Sequence, residues 1–172
     1  DRHHRLEGSR HTDVPEMIRW HMIGHLQRNK VRPVISQVKL IHSVDSLRLA
    51  EEIQTQGERE QREVDILLQI NASGEKAKYG IAPPAAIHIA EQFATMFNIR
   101  LRGLMCMAPF SENPEDSRYS FERTTELFYE MKKRSFITDD FNVLSMGMSN
   151  DFEVAIECGA NVIRIGRLLF GE

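Results

Sequence analysis

From Met17 onward, short apolar runs alternate with longer stretches of helical periodicity. Six runs of strand length predict strands at residues 18–23, 39–42, 64–70, 101–105, 142–146 and 161–165. Between them, apolar positions recur every three to four residues, which predicts helices over 46–56, 84–97 and 120–134, with a shorter one near 29–38 that Pro33 curtails. Strict alternation of this kind implies a parallel sheet with helical crossovers. Nearly every strand run ends in small or polar residues: GHLQ after Ile23, SVDS after His42, NASGE after Ile70 and MAP after Cys106. Ligand sites of parallel α/β folds gather at that end.

The last two strand ends carry the most chemistry. In LSMGMSNDFEVAIECG (144–159) a strand is expected to break at Gly147, and Ser149, Asn150 and Asp151 are candidate N-caps for a helix bearing Phe152, Ala155 and Ile156. A strand-to-helix turn built from Ser145, Gly147 and Ser149 presents free amides and hydroxyls, which suits an oxyanion, although Ser149 could equally serve as a helix cap. In NVIRIGRLLFG (161–171), Arg164 alone interrupts an aliphatic strand. Strand alternation puts Val162, Arg164 and Gly166 on one face and Ile163 and Ile165 on the other. With the aliphatic pair facing the helices, Arg164 points inward, where it needs an acidic partner or a ligand. Gly166 and Arg167 open a second amide-rich turn beside the first.

Composition narrows the classes. The 172 residues are a single-domain length, 41% hydrophobic and 27% charged, with a net charge of -3 that gives no basis for a nucleic-acid or membrane partner. No apolar run reaches transmembrane length, and the polar start has no signal-peptide pattern. Two cysteines, Cys106 and Cys158, fall in or beside apolar segments, which points to a reduced, cytoplasmic setting rather than a disulfide framework. Residues 1–16, with His3, His4 and His11, read as a poorly ordered leader, and 17–172 as one domain. His21, His25 and His42 lack the cysteine or carboxylate spacing of a metal centre. Asp45 is a candidate ligand-orienting group or helix cap, and Met105, Met107, Met146 and Met148 are candidates for interior lining.

Six motifs, WHMIGHLQRNK (20–30), IHSVDS (41–46), QINASGEKAKYG (69–80), RGLMCMAP (102–109), LSMGMSNDFEVAI and VIRIGRLLFG, occur in the order in which the YggS/PROSC family of pyridoxal phosphate homeostasis proteins has them, and the chain resembles that family over residues 17–171. The resemblance implies an α/β fold of the (β/α)8 TIM-barrel type, the fold type III barrel of alanine racemase, carrying pyridoxal 5'-phosphate (PLP) as cofactor at the C-terminal mouth of its strands. It implies a non-catalytic carrier or regulator of intracellular vitamin B6. By position it assigns Ser145, Gly166 and Arg167 to the phosphate, with Ser149 as a further candidate, and Arg164 to the pyridine nitrogen. A permanently cationic donor keeps that nitrogen unprotonated, which weakens the ring as an electron sink and favours holding over chemistry. Many family members have threonine where this chain has Arg167.

The front of the chain departs from the family pattern. About six βα units are visible where a closed barrel needs eight. The lysine that binds PLP covalently, on the family's first strand, and the FGENY-like motif after the second have no counterpart, so no catalytic residue is nominated among Lys30, Lys39, Lys76 and Lys78. A racemase- or decarboxylase-type PLP enzyme is the alternative, and it would need such a lysine and an acid/base partner. A truncated barrel that binds no cofactor covalently is another. A barrel short of two strands exposes two sheet edges. A homodimer along those edges, the leader used as a strand, or further upstream residues would each cover them.

Overall fold

The structure, a computed structural model, describes residues 18–75 and 79–171. The leader 1–16, Lys76 and Lys78 lie outside the described residues. Six strands, β1 (His21–Met22), β2 (Leu40–Val44), β3 (Val64–Ile70), β4 (Ile99–Cys106), β5 (Val143–Met148) and β6 (Val162–Arg164), form one sheet in chain order, each parallel to its neighbours. The helices are α1 (Val31–Ile35), α2 (Leu47–Arg59), α3 (Pro83–Phe93), α4 (Arg118–Lys132), α5 (Phe152–Glu157) and α6 (Arg167–Phe170). Parallel crossovers of one hand keep the helices on one face, and the sheet curls away from them into an open half-barrel.

The convex face holds the main core. Ile41, Val44, Ile66, Leu68, Ile70, Leu104, Leu144 and Met146 pack beneath Leu49, Ile53, Phe93, Phe121, Phe128 and Met131 of the helices. Each fully buried side chain of this kind contributes about 2 kcal/mol relative to exposure. The concave face is different: a small apolar cluster of Leu40, Leu67 and Met105 shares it with buried His42, Ser145 and Arg164.

Several expected boundaries shift for identifiable reasons. The first strand narrows from 18–23 to His21–Met22 because it has one neighbour, although the Lys39 amide still bonds the Trp20 carbonyl at 2.8 Å. The helix expected near 29–38 is short, Val31–Ile35, with Pro33 as its third residue, where a missing N–H breaks no intrahelical bond. The strand at β5 does not break at Gly147 but runs through it to Met148. Gly147 has φ 84°, and a Cβ there would lie 2.6 Å from that of Ala155, so glycine lets α5 return close over the strand. The third helix stops at Phe93, leaving Phe97 89% exposed.

Candidate functional site

The concave face near the C-terminal ends of β5 and β6 gathers the candidates. Arg164 projects inward from β6, as strand alternation requires, and is 8% exposed. Its Nη1 donates to Ser145 Oγ at 2.7 Å and its Nη2 to the Cys106 carbonyl at 2.8 Å. No carboxylate is bonded to it, so the acidic partner that the sequence allowed is absent among the described residues, and its Nε is buried with no hydrogen-bond partner. Burial lowers its pKa, yet an arginine remains protonated. A buried cation held by neutral groups with one donor unused can offer that donor to an acceptor.

Ser145 lies wholly buried under this guanidinium and also meets His42 Nδ1 at 3.0 Å. His42 Nε2 in turn faces His21 Nδ1 at 3.0 Å. Burial, then the neighbouring His21 and Arg164, press the His42 pKa down to about 3, so the imidazole is neutral. His21 is also lowered, first by burial and then by Arg19.

The two turns meet through Ser149. Its hydroxyl accepts from the Gly166 amide at 3.3 Å and the Leu168 amide at 3.4 Å, so it joins the β6–α6 corner rather than capping α5. Asp151 occupies the position before α5, and its carboxylate accepts from the Met148 amide at 2.7 Å and the Ser117 hydroxyl at 3.0 Å, which pins the β5–α5 turn. Ile23, Met148, Ser149, Arg164, Ile165, Gly166 and Arg167 line a cavity of about 330 Å³. Four of the five residues singled out from the sequence, Ser149, Arg164, Gly166 and Arg167, therefore share one cavity; Ser145 sits behind it. The Arg167 guanidinium lies 5.7 Å from the centre of the Phe110 ring, which draws it to one side of the mouth.

Other candidates resolve into structure. Ser46, not Asp45, caps α2, accepting from the Leu49 amide at 3.3 Å. Asp45 instead pairs with His25 at 3.4 Å, and His25 stacks on Tyr79 with ring centres 4.2 Å apart. Met105 lines the interior and Met148 the cavity, whereas Met146 faces the main core and Met107 is exposed. No group of three or more His, Cys, Asp or Glu among the described residues is placed to hold a metal ion. The role of His42 was missed, although one signal was available: like Arg164, it interrupts an apolar strand at an inward position.

Comparison with known proteins adds context to this geometry. The profile of the alanine racemase N-terminal domain family matches residues 14–172. A curated relative from Aquifex aeolicus named pyridoxal phosphate homeostasis protein is 43% identical over 159 residues, covering 90% of this chain and 67% of its own. Among solved structures, a protein of unknown function from Bifidobacterium adolescentis is similar at a TM-score of 0.85 and 36% identity, covering 92% of this chain and 63% of its own. PipY of Synechococcus elongatus PCC7942, solved with PLP bound, is similar at a TM-score of 0.80 and 30% identity, covering 92% and 73%. The chain thus spans about two thirds of the length of the curated relatives it matches.

Proposed function

The chain belongs to the alanine racemase N-terminal domain family, among its pyridoxal phosphate homeostasis proteins, and from that premise we propose that it binds PLP in the Arg164 cavity and holds the cofactor rather than running a reaction on it. The observation that carries the reading is the buried Arg164 side chain, which lines a cavity of about 330 Å³ and whose Nε has no hydrogen-bond partner. That volume lies within the range of small-molecule sites.

The residues present fit the group. Arg164 would donate to the ring nitrogen, and a fixed cation there favours the unprotonated ring. Ser149, the Gly166 amide and Arg167 would hold the phosphate through a hydroxyl, a backbone N–H and a guanidinium. PLP, when bound, supplies a reactive aldehyde and an electron-withdrawing ring. The lining consists of apolar, hydroxyl, amide and guanidinium groups, which bind and orient. A carrier role in intracellular vitamin B6 homeostasis agrees with that lining. A reducing, cytoplasmic setting agrees with two buried cysteines, Cys106 and Cys158. No helix among the described residues is long and apolar enough to cross a membrane. Pairing of two copies along β1 or β6, the two edge strands, is the oligomer this reading favours, and sedimentation velocity tests it.

The test is titration of the purified protein with PLP, followed by absorbance, with and without borohydride. Saturable binding that weakens in Arg164→Gln is expected, and peptide mapping after reduction identifies any lysine that reacts. A wild-type protein that takes up no PLP would end the proposal.

A further inference from the structure

The polar chain His21–His42–Ser145–Arg164 has a direction that its chemistry fixes. Arg164 can only donate, so Ser145 Oγ accepts from it at 2.7 Å. Ser145 is wholly buried, and among the described residues the acceptor in reach of its own proton is His42 Nδ1 at 3.0 Å. His42 must then carry its proton on Nε2, which donates to His21 Nδ1 at 3.0 Å. The reverse tautomer would strand the Ser145 proton in the interior, at a cost of about 1–3 kcal/mol. The surroundings favour neutral imidazoles: Arg164 stands at one end, and Arg19, Lys39 and Arg102, with the single carboxylate of Asp65, surround a second cavity that His21 lines. The low pKa of His42 agrees with this.

We propose that His42, acting through Ser145, is a positioning residue for Arg164: the neutral imidazole, protonated at Nε2, orients the Ser145 hydroxyl so that the guanidinium is held at Nη1 and Nη2 and its Nε–H is left for an acceptor atom of the ligand. The site so built selects an aromatic nitrogen in its acceptor form. This inference rests on the reading of the Arg164 cavity as a PLP site. It adds that the selectivity is set two residues away from the ligand, by groups that do not touch it.

Two measurements test it. Long-range proton–nitrogen correlation spectra of histidine-labelled protein report the tautomers without any ligand. His42 with a bare Nδ1 and a protonated Nε2, from about pH 5 to 8, is expected; a protonated Nδ1 or an imidazolium overturns the chain. Binding of 4'-deoxypyridoxine 5'-phosphate, which keeps the ring nitrogen and phosphate but lacks the aldehyde, is then compared with binding of inorganic phosphate. Ser145→Ala and His42→Leu should each weaken the ring compound about tenfold and leave phosphate unaffected, while Ser145→Thr and His42→Gln, which restore a hydroxyl and an acceptor, stay near wild type. Folded Ala and Leu variants that bind the ring compound as the wild type does would overturn the positioning role. If the wild type ignores the ring compound, the PLP reading fails on its own. The chain is then judged by the tautomers and by the Arg164 Nε–H signal, which Ser145→Ala should broaden and an irrelevant Ser145 would leave unchanged.

Discussion

Arginines at the two ends of the same sheet are treated in opposite ways. Near the N-terminal ends of the strands, Arg100 and Arg102 converge on Asp65, with Nε and Nη1 each 2.7 Å from a carboxylate oxygen. Glu63 and Asp140 lie within 3.8 Å of Arg100 as well. Toward the C-terminal ends, Arg164 has a hydroxyl, a carbonyl and a spare Nε–H. Charge matched by charge is saturated, and its role is to fasten β3 to β4. Charge held by neutral groups is oriented but unsaturated, and that end has a donor to offer. The difference separates a fastening role from the proposed binding role within one residue type.

The contrast is broken most directly by exchanging which arginine network is cut. Arg164→Gln should weaken PLP about a hundredfold by equilibrium titration, because a hydrogen bond from a buried cation is lost. Its stability in urea should shift by no more than about 1 kcal/mol, since the substitution also removes a buried charge. Asp65→Asn should do the reverse. It leaves two guanidinium groups short of their carboxylate and should cost about 2 kcal/mol of stability, discounted for the solvent that reaches Arg100. PLP affinity should be unchanged. A variant that moved both properties together would show that the two ends are not separate.

The sequence made the architecture legible and left the interior wiring obscure. Strand β3 lies at the residues its apolar run predicts, because a strand with neighbours on both sides and helices above has no freedom to slide. Edge strand β1 shrank from six expected residues to His21–Met22, since one neighbour enforces pairing weakly. Arg164 was found because a charge in an aliphatic strand stands out. Its partners were not, because whether an inward arginine meets a carboxylate, a hydroxyl or a ligand depends on strand register, which periodicity does not encode. Family position assigns Ser145 to the phosphate, and in the fold it is wholly buried beneath Arg164 while Met148, three residues on, lines the cavity. Ser149 is a candidate helix cap by sequence, and its use at the neighbouring corner depends on the β5–α5 and β6–α6 turns lying close enough for its hydroxyl to reach the Gly166 and Leu168 amides.

The neutral imidazole of His42 gives the comparison a pH dependence. Its folded pKa of about 3 lies below the ordinary 6.5, so unfolding takes up a proton wherever the pH falls between the two. Stability should therefore decline as the pH drops below 6.5, by about 2 kcal/mol at pH 5, and the lowered His21 adds in the same direction. Urea denaturation between pH 7 and pH 5 should show a steeper loss for the wild type than for His42→Gln, which has no proton to accept (about 1.4 kcal/mol per unit at full linkage). Equal slopes would mean that the imidazole is not the group that responds.

The smallest expected effect belongs to Ser149. Its bonds to the Gly166 and Leu168 amides are long, 3.3 and 3.4 Å, so an arriving phosphate oxygen can take either amide and leave the hydroxyl to donate in its turn. Ser149→Ala removes one neutral donor from a group that retains the amides and Arg167, and such a loss costs about threefold to tenfold in affinity. The effect should appear equally with PLP and with inorganic phosphate, whereas changes at Ser145 appear with the ring compound alone. That division distinguishes a serine that touches the ligand from one that only holds the arginine. If instead Ser149→Ala bound phosphate more tightly, the hydroxyl would be a stopper in the amide corner, and the phosphate would owe its place to Gly166 and Arg167.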